Sequence, residues 1–453
     1  MCDFYHPLST DTPREPGEHA LTRRGFLGSS VAMISAAASV PGFIDAAGAA
    51  LADTTMRTSS TPGKPEDRVL VVVQLSGGND GLNTVVPLGV DAYHRARPSL
   101  RVADDQALPI GDGVGLHPEL APVRELIGEG RAAAILGVGY PNPNRSHFQS
   151  MDIWHRGVLD ARGRDQSVGW IGKALDHGMG ADHPDAGLAC VSLGQQTYLA
   201  TQGREVAPVN FKSPELFRWA GQAVDNDMAG AYKRAVAKPQ PSAEEAGARA
   251  RDAEPDSAAD FLRRTASDAA VASSRVRNAV KGNSEVEFPR HALGRQLQTV
   301  ANMIKAGLPT RVYYVALGGF DTHAGQRGRH PNLLRQFATG VAAFQKELVR
   351  TGHDGRVVTL AFSEFGRRVK ENASGGTDHG AAGPMFAFGP AVKPGALGKH
   401  PDLGQLDNGD LKHTVDFRAI YAGVLNDWMK LDAKPAVGNI RPQSIIRRSF
   451  IAA

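Results

Sequence analysis

Short apolar runs that end in glycine-rich polar loops are the feature of this sequence that most limits its fold. The first run begins at Val69 in VLVVVQLSGGNDGLN, where five consecutive apolar residues come shortly before the loop. Comparable runs lie within residues 131–148, 311–326, 356–368 and 384–390. Continuous apolar runs of this length are typical of strands that are buried on both faces, as in parallel sheets.

Helical patterns separate these runs. The second run is preceded by ELAPVRELIGEG, the third by LGRQLQTVANMIKAG and the fourth by LLRQFATGVAAFQKELVRTG. The order strand, helix, strand predicts an α/β fold, a three-layer sandwich whose central sheet is mainly parallel. Ligands of such sheets bind beyond the carboxyl ends of the strands. We therefore expect function to reside in the loops that follow the strands.

The amino-terminal segment has the layout of a twin-arginine export signal. The pair Arg23 and Arg24 precedes a weakly apolar run, and residues 50–52 (ALA) offer a small-residue cleavage site. The run is too short and too rich in Ser, Ala and Gly to span a bilayer. Residues 1–52 are therefore predicted to be a signal peptide that engages the twin-arginine translocase. The mature chain is expected to be periplasmic or secreted, without a transmembrane segment.

The rest of the chain predicts a linker at residues 53–67 and a single α/β domain over residues 68–450. Residues 236–290 are charged and rich in Ala and Pro at their start, which predicts a polar helical insertion, with a partner-binding arm as the alternative. Hydrophobic residues make up 42% of the chain, enough for a sizeable core. The formal net charge is only +4 and the charges are scattered, so nucleic-acid binding is not indicated.

Five polar clusters fall in the loops at the predicted strand ends. They are Asn79 with Asp80, Ser146 with His147, Asp321 with His323, Glu364 with Arg367, and Asp378 with His379. Carboxylate oxygens and imidazole nitrogens are ligands of divalent ions, and a two-metal site needs roughly six such groups. The clusters therefore predict a site for divalent metal ions (Zn, Mn, Ca or Fe). Its candidate ligands are Asp80, Asp321, His323, Glu364, Asp378 and His379.

Most of these clusters also have a structural interpretation. Asp80, Ser146 and Asp321 could each cap a helix, and Glu364 could simply pair with Arg367. The loop GTDHGAAG is harder to explain in this way, because a glycine-rich loop needs neither its Asp nor its His for packing. One shared site explains all five clusters together, whereas capping and pairing explain them one at a time.

Five long motifs of the chain resemble the bacterial family known as domain of unknown function 1501. They are LVVVQLSGGNDGLNTVVPL, NPNRSHFQSMDIW, GGFDTHAGQ, SEFGRRVKEN and GTDHGAAGPMFAFG. The resemblance extends from about Arg68 to Leu431, and a twin-arginine start is usual in that family. The family is similar in turn to the alkaline-phosphatase-like metalloenzymes, which include sulfatases and cofactor-independent phosphoglycerate mutases. The resemblance thus implies an alkaline-phosphatase-like fold.

The resemblance also implies roles for particular residues. Members of that group carry an Asp after the first strand, a Ser or Thr nucleophile, an Asp with a nearby His, an adjacent Asp-His pair and a final His. The matching positions are Asp80, Ser146, Asp321 with His323, Asp378 with His379, and His413. Glu364 has no counterpart and is an alternative ligand.

The implied activity is hydrolysis of a phosphate or sulfate ester. Metal ions would activate the Ser146 hydroxyl and hold the oxyanion, which Arg367 and Asn79 would also bind. The alternative is a non-catalytic exported protein that keeps the fold for binding or assembly. The short spacing from Asp321 to His323 favours that alternative. A third interpretation is a surface-associated protein held by its uncleaved signal.

Overall fold

The computed structural model describes residues 67–451 apart from 161–166, 181–182, 184 and 213–275. The strands are β1 (Val69–Ser76), β2 (Val85–Pro87), β3 (Leu108–Gly111), β4 (Val114–Leu116), β5 (Ala132–Gly139), β6 (Cys190–Leu193), β7 (Val209–Phe211), β8 (Val312–Gly318), β9 (Val357–Phe362), β10 (Gly383–Phe388), β11 (Gly395–Leu397) and β12 (Val415–Asp416). The α-helices described over their full length are α1 (Gly81–Thr84), α2 (Asp91–Ala96), α3 (Ala121–Gly128), α4 (His147–Arg156), α5 (Trp170–Gly178), α6 (Ala292–Lys305), α7 (Gln326–Arg350), α8 (Phe417–Gly423), α9 (Lys434–Val437) and α10 (Arg448–Ile451). A π-helical turn, Val424–Met429, continues α8.

The main sheet has the strand order β11-β5-β10-β9-β1-β8-β6-β7, with β12 beside the end of β5. The pairs within it are parallel except for those that β10 makes with β5 and β9. Strand β1 lies inside the sheet, where Leu70 is in register with Val312 of β8 and Val71 with Thr359 of β9. The five runs recognised in the sequence are β1, β5, β8, β9 and β10, so the predicted mainly parallel sheet is confirmed.

Helices cover both faces of this sheet. Val69, Val71 and Val73 pack into the core that α3, α6 and α7 share with the sheet. Leu70 and Val72 pack into the opposite core, formed with α4, α5 and α8. Because successive strand residues point to opposite faces, a strand covered on both sides must be apolar throughout, as β1 is. The three-layer arrangement is therefore confirmed.

The antiparallel direction of β10 decides where the loop GTDHGAAG lies. This loop leads into β10, and its last residue, Gly383, is the first of the strand. Since β10 runs opposite to β5 and β9, its beginning lies at the edge where those strands end. All five polar clusters consequently lie at one edge of the sheet, four after parallel strands and one before the antiparallel strand.

A small antiparallel sheet, in the order β2-β4-β3, adjoins this arrangement. Helix α7 begins at Gln326, seven residues before the predicted LLRQFATG pattern, and contains Pro331 near its start. The signal peptide, the linker up to residue 66 and residues 236–275 of the predicted insertion lie outside the described residues and stay predictions. Among the described helices, none combines the length and apolar character needed to cross a membrane.

Candidate metal centre

Three of the polar clusters supply side chains that converge at the carboxyl edge of the sheet. His147 is the first residue of α4 after β5, Asp321 and His323 follow β8, and His379 precedes β10. One ligand atom from each of His147, Asp321 and His379 lies within 4.8 Å of the others. These three residues could therefore hold a metal ion.

Asp321 Oδ1 is the point on which the imidazole rings converge. It lies 3.1 Å from His323 Nε2, 3.2 Å from His379 Nε2 and 3.5 Å from His147 Nε2. The Nε2 atoms of His323 and His379 are 2.8 Å apart. Three imidazole nitrogens and one carboxylate oxygen make up a ligand set typical of borderline divalent ions such as zinc.

The other nitrogen of each ring is held by an oxygen acceptor. The acceptors are Glu364 Oε1 at 2.8 Å for His147, Asp378 Oδ1 at 3.1 Å for His323, and the backbone oxygen of Arg145 at 2.7 Å for His379. Since an ionised carboxylate or a carbonyl only accepts, each neutral ring keeps its proton on Nδ1 and donates it there. Each Nε2 then presents a lone pair towards Asp321, as in carboxylate–histidine–metal arrangements.

The environment favours the metal-binding protonation states of Asp321 and His379. Burial alone would raise the pKa of Asp321, but the hydrogen bond and charge of Arg367 outweigh it and lower that pKa to about 2. Burial lowers the pKa of His379, which favours its neutral form. The hydrogen bond to Glu364 raises the pKa of His147 and makes the ring more basic. Within the described residues, His147 Nε2 is buried without a hydrogen-bond partner.

Arg367, predicted to bind a substrate oxyanion, is instead enclosed by protein. Its side chain is 0% exposed and donates to Asp321 Oδ1 at 2.6 Å. Its other acceptors are the backbone oxygens of Gly77, Gly78, Phe320 and Thr377. The guanidinium therefore ties together the loops after β1 and β8 and the loop before β10. With its donors directed at the protein, it is a positioning group for Asp321.

Asp80 and Asn79, also predicted for the site, are bound elsewhere. Asp80 Oδ2 lies 2.5 Å from Arg97 Nη1 with both side chains fully buried, and its Oδ1 accepts from the Asn83 amide at the start of α1. Asn79 Oδ1 accepts from the Thr84 hydroxyl at 3.0 Å. Neither residue belongs to the converging group. The helix-cap interpretation of Asp80 thus describes its position in the structure.

The remaining predicted residues take several positions. Ser146 is the N-cap residue of α4, but it is exposed and its side chain makes no capping bond. Glu364 and Asp378 lie behind the rings of His147 and His323 and are bonded to their Nδ1 atoms. His413 lines a separate cavity.

His147 is the member of the converging group that the sequence did not assign as a ligand. The motif NRSHF groups His147 with Ser146 at the correct strand end. The resemblance to the alkaline-phosphatase-like enzymes directs attention to Ser146 as a nucleophile rather than to His147 as a ligand.

A cleft of about 480 Å³ opens beside the converging ligands. Its lining residues are Ser76, Gly77, His147, Phe148, Met151, Asp152, His155, Gly318, Gly319, Asp321 and Glu364. The volume lies within the range of small-molecule sites.

The amino-terminal end of α4 also lies at this cleft, because its first residue, His147, belongs to the group of converging ligands. Free amide groups and the helix dipole make such an end favourable for an anion.

A model of the family described as "Protein of unknown function (DUF1501)" matches residues 137–440. No curated protein matches the chain.

Solved structures similar to the chain include sulfatases and a member of the alkaline phosphatase superfamily. The PsFucS1 sulfatase from Pseudoalteromonas sp. is 9% identical, with 84% of this chain and 73% of that chain covered and a TM-score of 0.37. The Vibrio parahaemolyticus member of the alkaline phosphatase superfamily is 8% identical (88% and 77% covered, TM-score 0.34). The phosphonate monoester hydrolase SpPMH from Silicibacter pomeroyi is 12% identical (83% and 76% covered, TM-score 0.32). At TM-scores this low, the likeness carries no conclusion about chemistry.

Proposed function

The chain belongs to the DUF1501 family of proteins of unknown function, and we propose that it is an exported, metal-dependent hydrolase of phosphate or sulfate esters. The observation that carries the proposal is the convergence of His147, His379 and Asp321, with His323 Nε2 also 3.1 Å from Asp321 Oδ1 and every ring held at Nδ1 by an oxygen acceptor. Two facing lone pairs 2.8 Å apart repel each other unless a cation or a proton lies between them. A bound cation relieves that repulsion.

The donor set indicates the class of metal. Three imidazole nitrogens and one carboxylate suit Zn, Mn or Fe, whereas Ca takes oxygen ligands. A divalent ion held there supplies Lewis acidity and lowers the pKa of a bound water towards neutrality. The chain's own contribution is to hold the ligands. Glu364 fixes the ring of His147, and Arg367 fixes the carboxylate of Asp321.

The end of α4 supports an oxyanion as the group bound next to the ligands. Because the Ser146 side chain makes no capping bond, no described side chain occupies the amides of the first turn, including that of Phe148, and these amides can bind an anion. A phosphate or sulfate group placed there lies beside His147 and Asp321. The negatively charged group of such an ester fits both the helix end and a bound cation.

We assign the attack on the ester to water rather than to Ser146. The serine is not among the residues that line the cleft. Its hydroxyl forms no hydrogen bond with an Asp, Glu or His among the described residues, so no neighbouring base activates it. Its backbone amide donates to Asn144 Oδ1 at 2.8 Å, which places the residue in the turn before α4.

A second candidate function follows from Asp80 and Arg367. The sequence predicts both residues in a catalytic centre with two metals. In the structure the Asp80 carboxylate pairs with Arg97, and the Arg367 guanidinium donates to Asp321 and to backbone oxygens. A chain that keeps one metal site and lacks the rest of that machinery fits a non-catalytic exported protein used for binding or assembly.

The test measures metal content and ester hydrolysis on the same preparations. The natively produced chain is analysed by mass spectrometry for metals, then assayed with p-nitrophenyl phosphate and p-nitrophenyl sulfate after loading with Zn, Mn or Fe. We compare His379→Ala and Asp321→Ala with His177→Ala, an exposed histidine outside the site. We expect near-stoichiometric metal and turnover in the parent and in His177→Ala, and loss of both in the other two variants.

Other outcomes separate the candidates. Metal without turnover of either ester supports the binding protein, and absence of metal after loading refutes the metal centre. Ser146→Ala decides the nucleophile, because an unchanged rate supports water and a rate reduced to background assigns the serine.

A further inference from the structure

Phe148 is an exposed aromatic side chain directly beside the proposed metal centre. It is 89% exposed, and only Val349 accompanies it among the strongly exposed large hydrophobic side chains of the described residues. A single exposed phenylalanine is common on protein surfaces. Phe148, however, follows the candidate ligand His147 and lines the same cleft. An apolar ring at that position is available to contact a small molecule that enters the cleft.

The cleft has an apolar strip along α4. Phe148, Met151, Asp152 and His155 stand at positions i, i+3, i+4 and i+7, so they lie on one face of the helix, and all four line the cleft. Phe148 and Met151 form the apolar part next to the candidate ligands. His155 is buried further along, where its Nε2 is 2.8 Å from Gln74 Oε1.

Small residues make up another part of the lining. They are Ser76 and Gly77 at the end of β1 and Gly318 and Gly319 at the end of β8, with Ser76 and Gly318 in register as neighbours. A Cβ atom built on Gly318 meets nothing within 4 Å, so the space in front of this residue is open. The open space at Gly318 and the exposed aromatic ring of Phe148 in the same cleft leave room for a flat group.

We infer that the cleft selects esters whose leaving group is a ring with an apolar face, either aromatic or a sugar, and that Phe148 stacks on that ring. The inference rests on the proposed function for the position of the ester group beside His147 and Asp321. Hydrolysis then divides one water between the products, so that the ring leaves as an alcohol or phenol and the oxyanion as phosphate or sulfate. The cleft volume of about 480 Å³ is adequate for a small ring-bearing ester.

Binding of non-hydrolysable probes tests the ring without requiring turnover. Phenylphosphonate, methylphosphonate and a glucosyl C-phosphonate, in which carbon replaces the ester oxygen, are titrated calorimetrically into the metal-loaded full chain and its variants. We expect phenylphosphonate or the glucosyl C-phosphonate to bind more tightly than methylphosphonate. Phe148→Ala should weaken the ring-bearing probe by about three- to tenfold and leave methylphosphonate unchanged, because only the ring loses its stacking partner.

Matched variants complete the design. Phe148→Trp should restore ring binding, and Gly318→Val, at a residue without positive φ, should reduce it by filling the slot. Val349→Ala, which removes the other strongly exposed large hydrophobic side chain of the described residues, should change nothing. Where an ester is turned over, Phe148→Ala should raise KM for the aryl ester more than for the methyl ester.

The outcomes distinguish this inference from the proposed function. Ring preference that depends on Phe148 but without turnover of any ester removes the hydrolase and keeps the ring site. Turnover with equal affinity for ring and methyl probes, unaffected by Phe148→Ala, overturns the ring site and keeps the hydrolase. Tighter binding of the glucosyl C-phosphonate than of phenylphosphonate identifies the ring as a sugar, and the reverse identifies it as aromatic.

Discussion

Replacing Arg97 with methionine tests whether Asp80 is a structural residue. Arg97 Nη1 lies 2.5 Å from Asp80 Oδ2, and both side chains are 0% exposed. Burial alone would raise the pKa of Asp80, but the charge and hydrogen bond of Arg97 lower it, so the carboxylate is ionised in the folded chain. Removing one member of a buried pair leaves a buried charge without its counterion, which costs about 3–5 kcal/mol.

The other contacts of Arg97 place the expected loss near the upper end of that range. Its guanidinium also donates to Asn83 Oδ1 at 2.7 Å and to the backbone oxygens of Arg368 and Val369 at 2.9 Å each. Arg97→Met removes the donor of all three bonds. We therefore expect the free energy of unfolding to fall by about 5 kcal/mol, against at most about 0.5 kcal/mol for the exposed pair control Arg95→Met.

Urea unfolding at pH 7 in the presence of saturating metal measures these values. Asp80→Asn with Arg97→Met should recover part of the loss, because no ionised carboxyl group remains buried. Asp80→Asn alone should retain the full metal content, since Asp80 lies outside the converging ligands. A loss for Arg97→Met within 1 kcal/mol of the Arg95→Met value would refute the buried pair. A folded Asp80→Asn protein without metal would restore Asp80 as a ligand.

Three further predictions concern the groups that support the site. Arg367→Lys supplies fewer donors than the guanidinium, so we expect a loss of about 2–4 kcal/mol in urea unfolding and weaker metal binding, with the exposed Arg95→Lys as the control. Glu364→Gln removes the charge that receives the His147 Nδ1 hydrogen, so metal affinity measured against a chelator should fall by about 10–100-fold, and an unchanged affinity contradicts that role. Burial lowers the pKa of His330 to about 4. Its stabilising contribution is therefore complete above the unfolded pKa and decreases as the pH falls, by about 2 kcal/mol at pH 5. His330→Gln should remove about that much of the pH dependence of unfolding, and the other buried histidines His117, His155 and His353 should keep theirs.

Residue patterns alone located the strands and the edge at which the candidate site lies. A strand between two helical layers must be apolar on both faces, so β1, β5, β8 and β9 appear as continuous apolar runs in the sequence. The loops that follow such strands cannot contribute to the core and carry polar residues instead. For that reason the five polar clusters could be recognised without coordinates, including the motif that contains His147.

Tertiary structure decided which polar residues meet. Asp80 and Asp321 both follow a strand in a glycine-rich loop. Asp80, however, is buried and pairs with Arg97, 17 residues further along the chain, so it is not available to the site. Arg367 looks like an oxyanion binder until its donors are seen to be directed at four backbone carbonyls and Asp321.

The sequence by itself thus determined the layers of the fold and the loops that carry its polar chemistry, because burial imposes a local pattern on each strand. The ligand group depended on the fold. His379 reaches His323 and Asp321 because β10 runs antiparallel to its neighbours, and that direction is set by pairing between segments far apart in the chain. Contacts of this kind leave no periodic signal in the local sequence, so only the assembled sheet shows which side chains share one point in space.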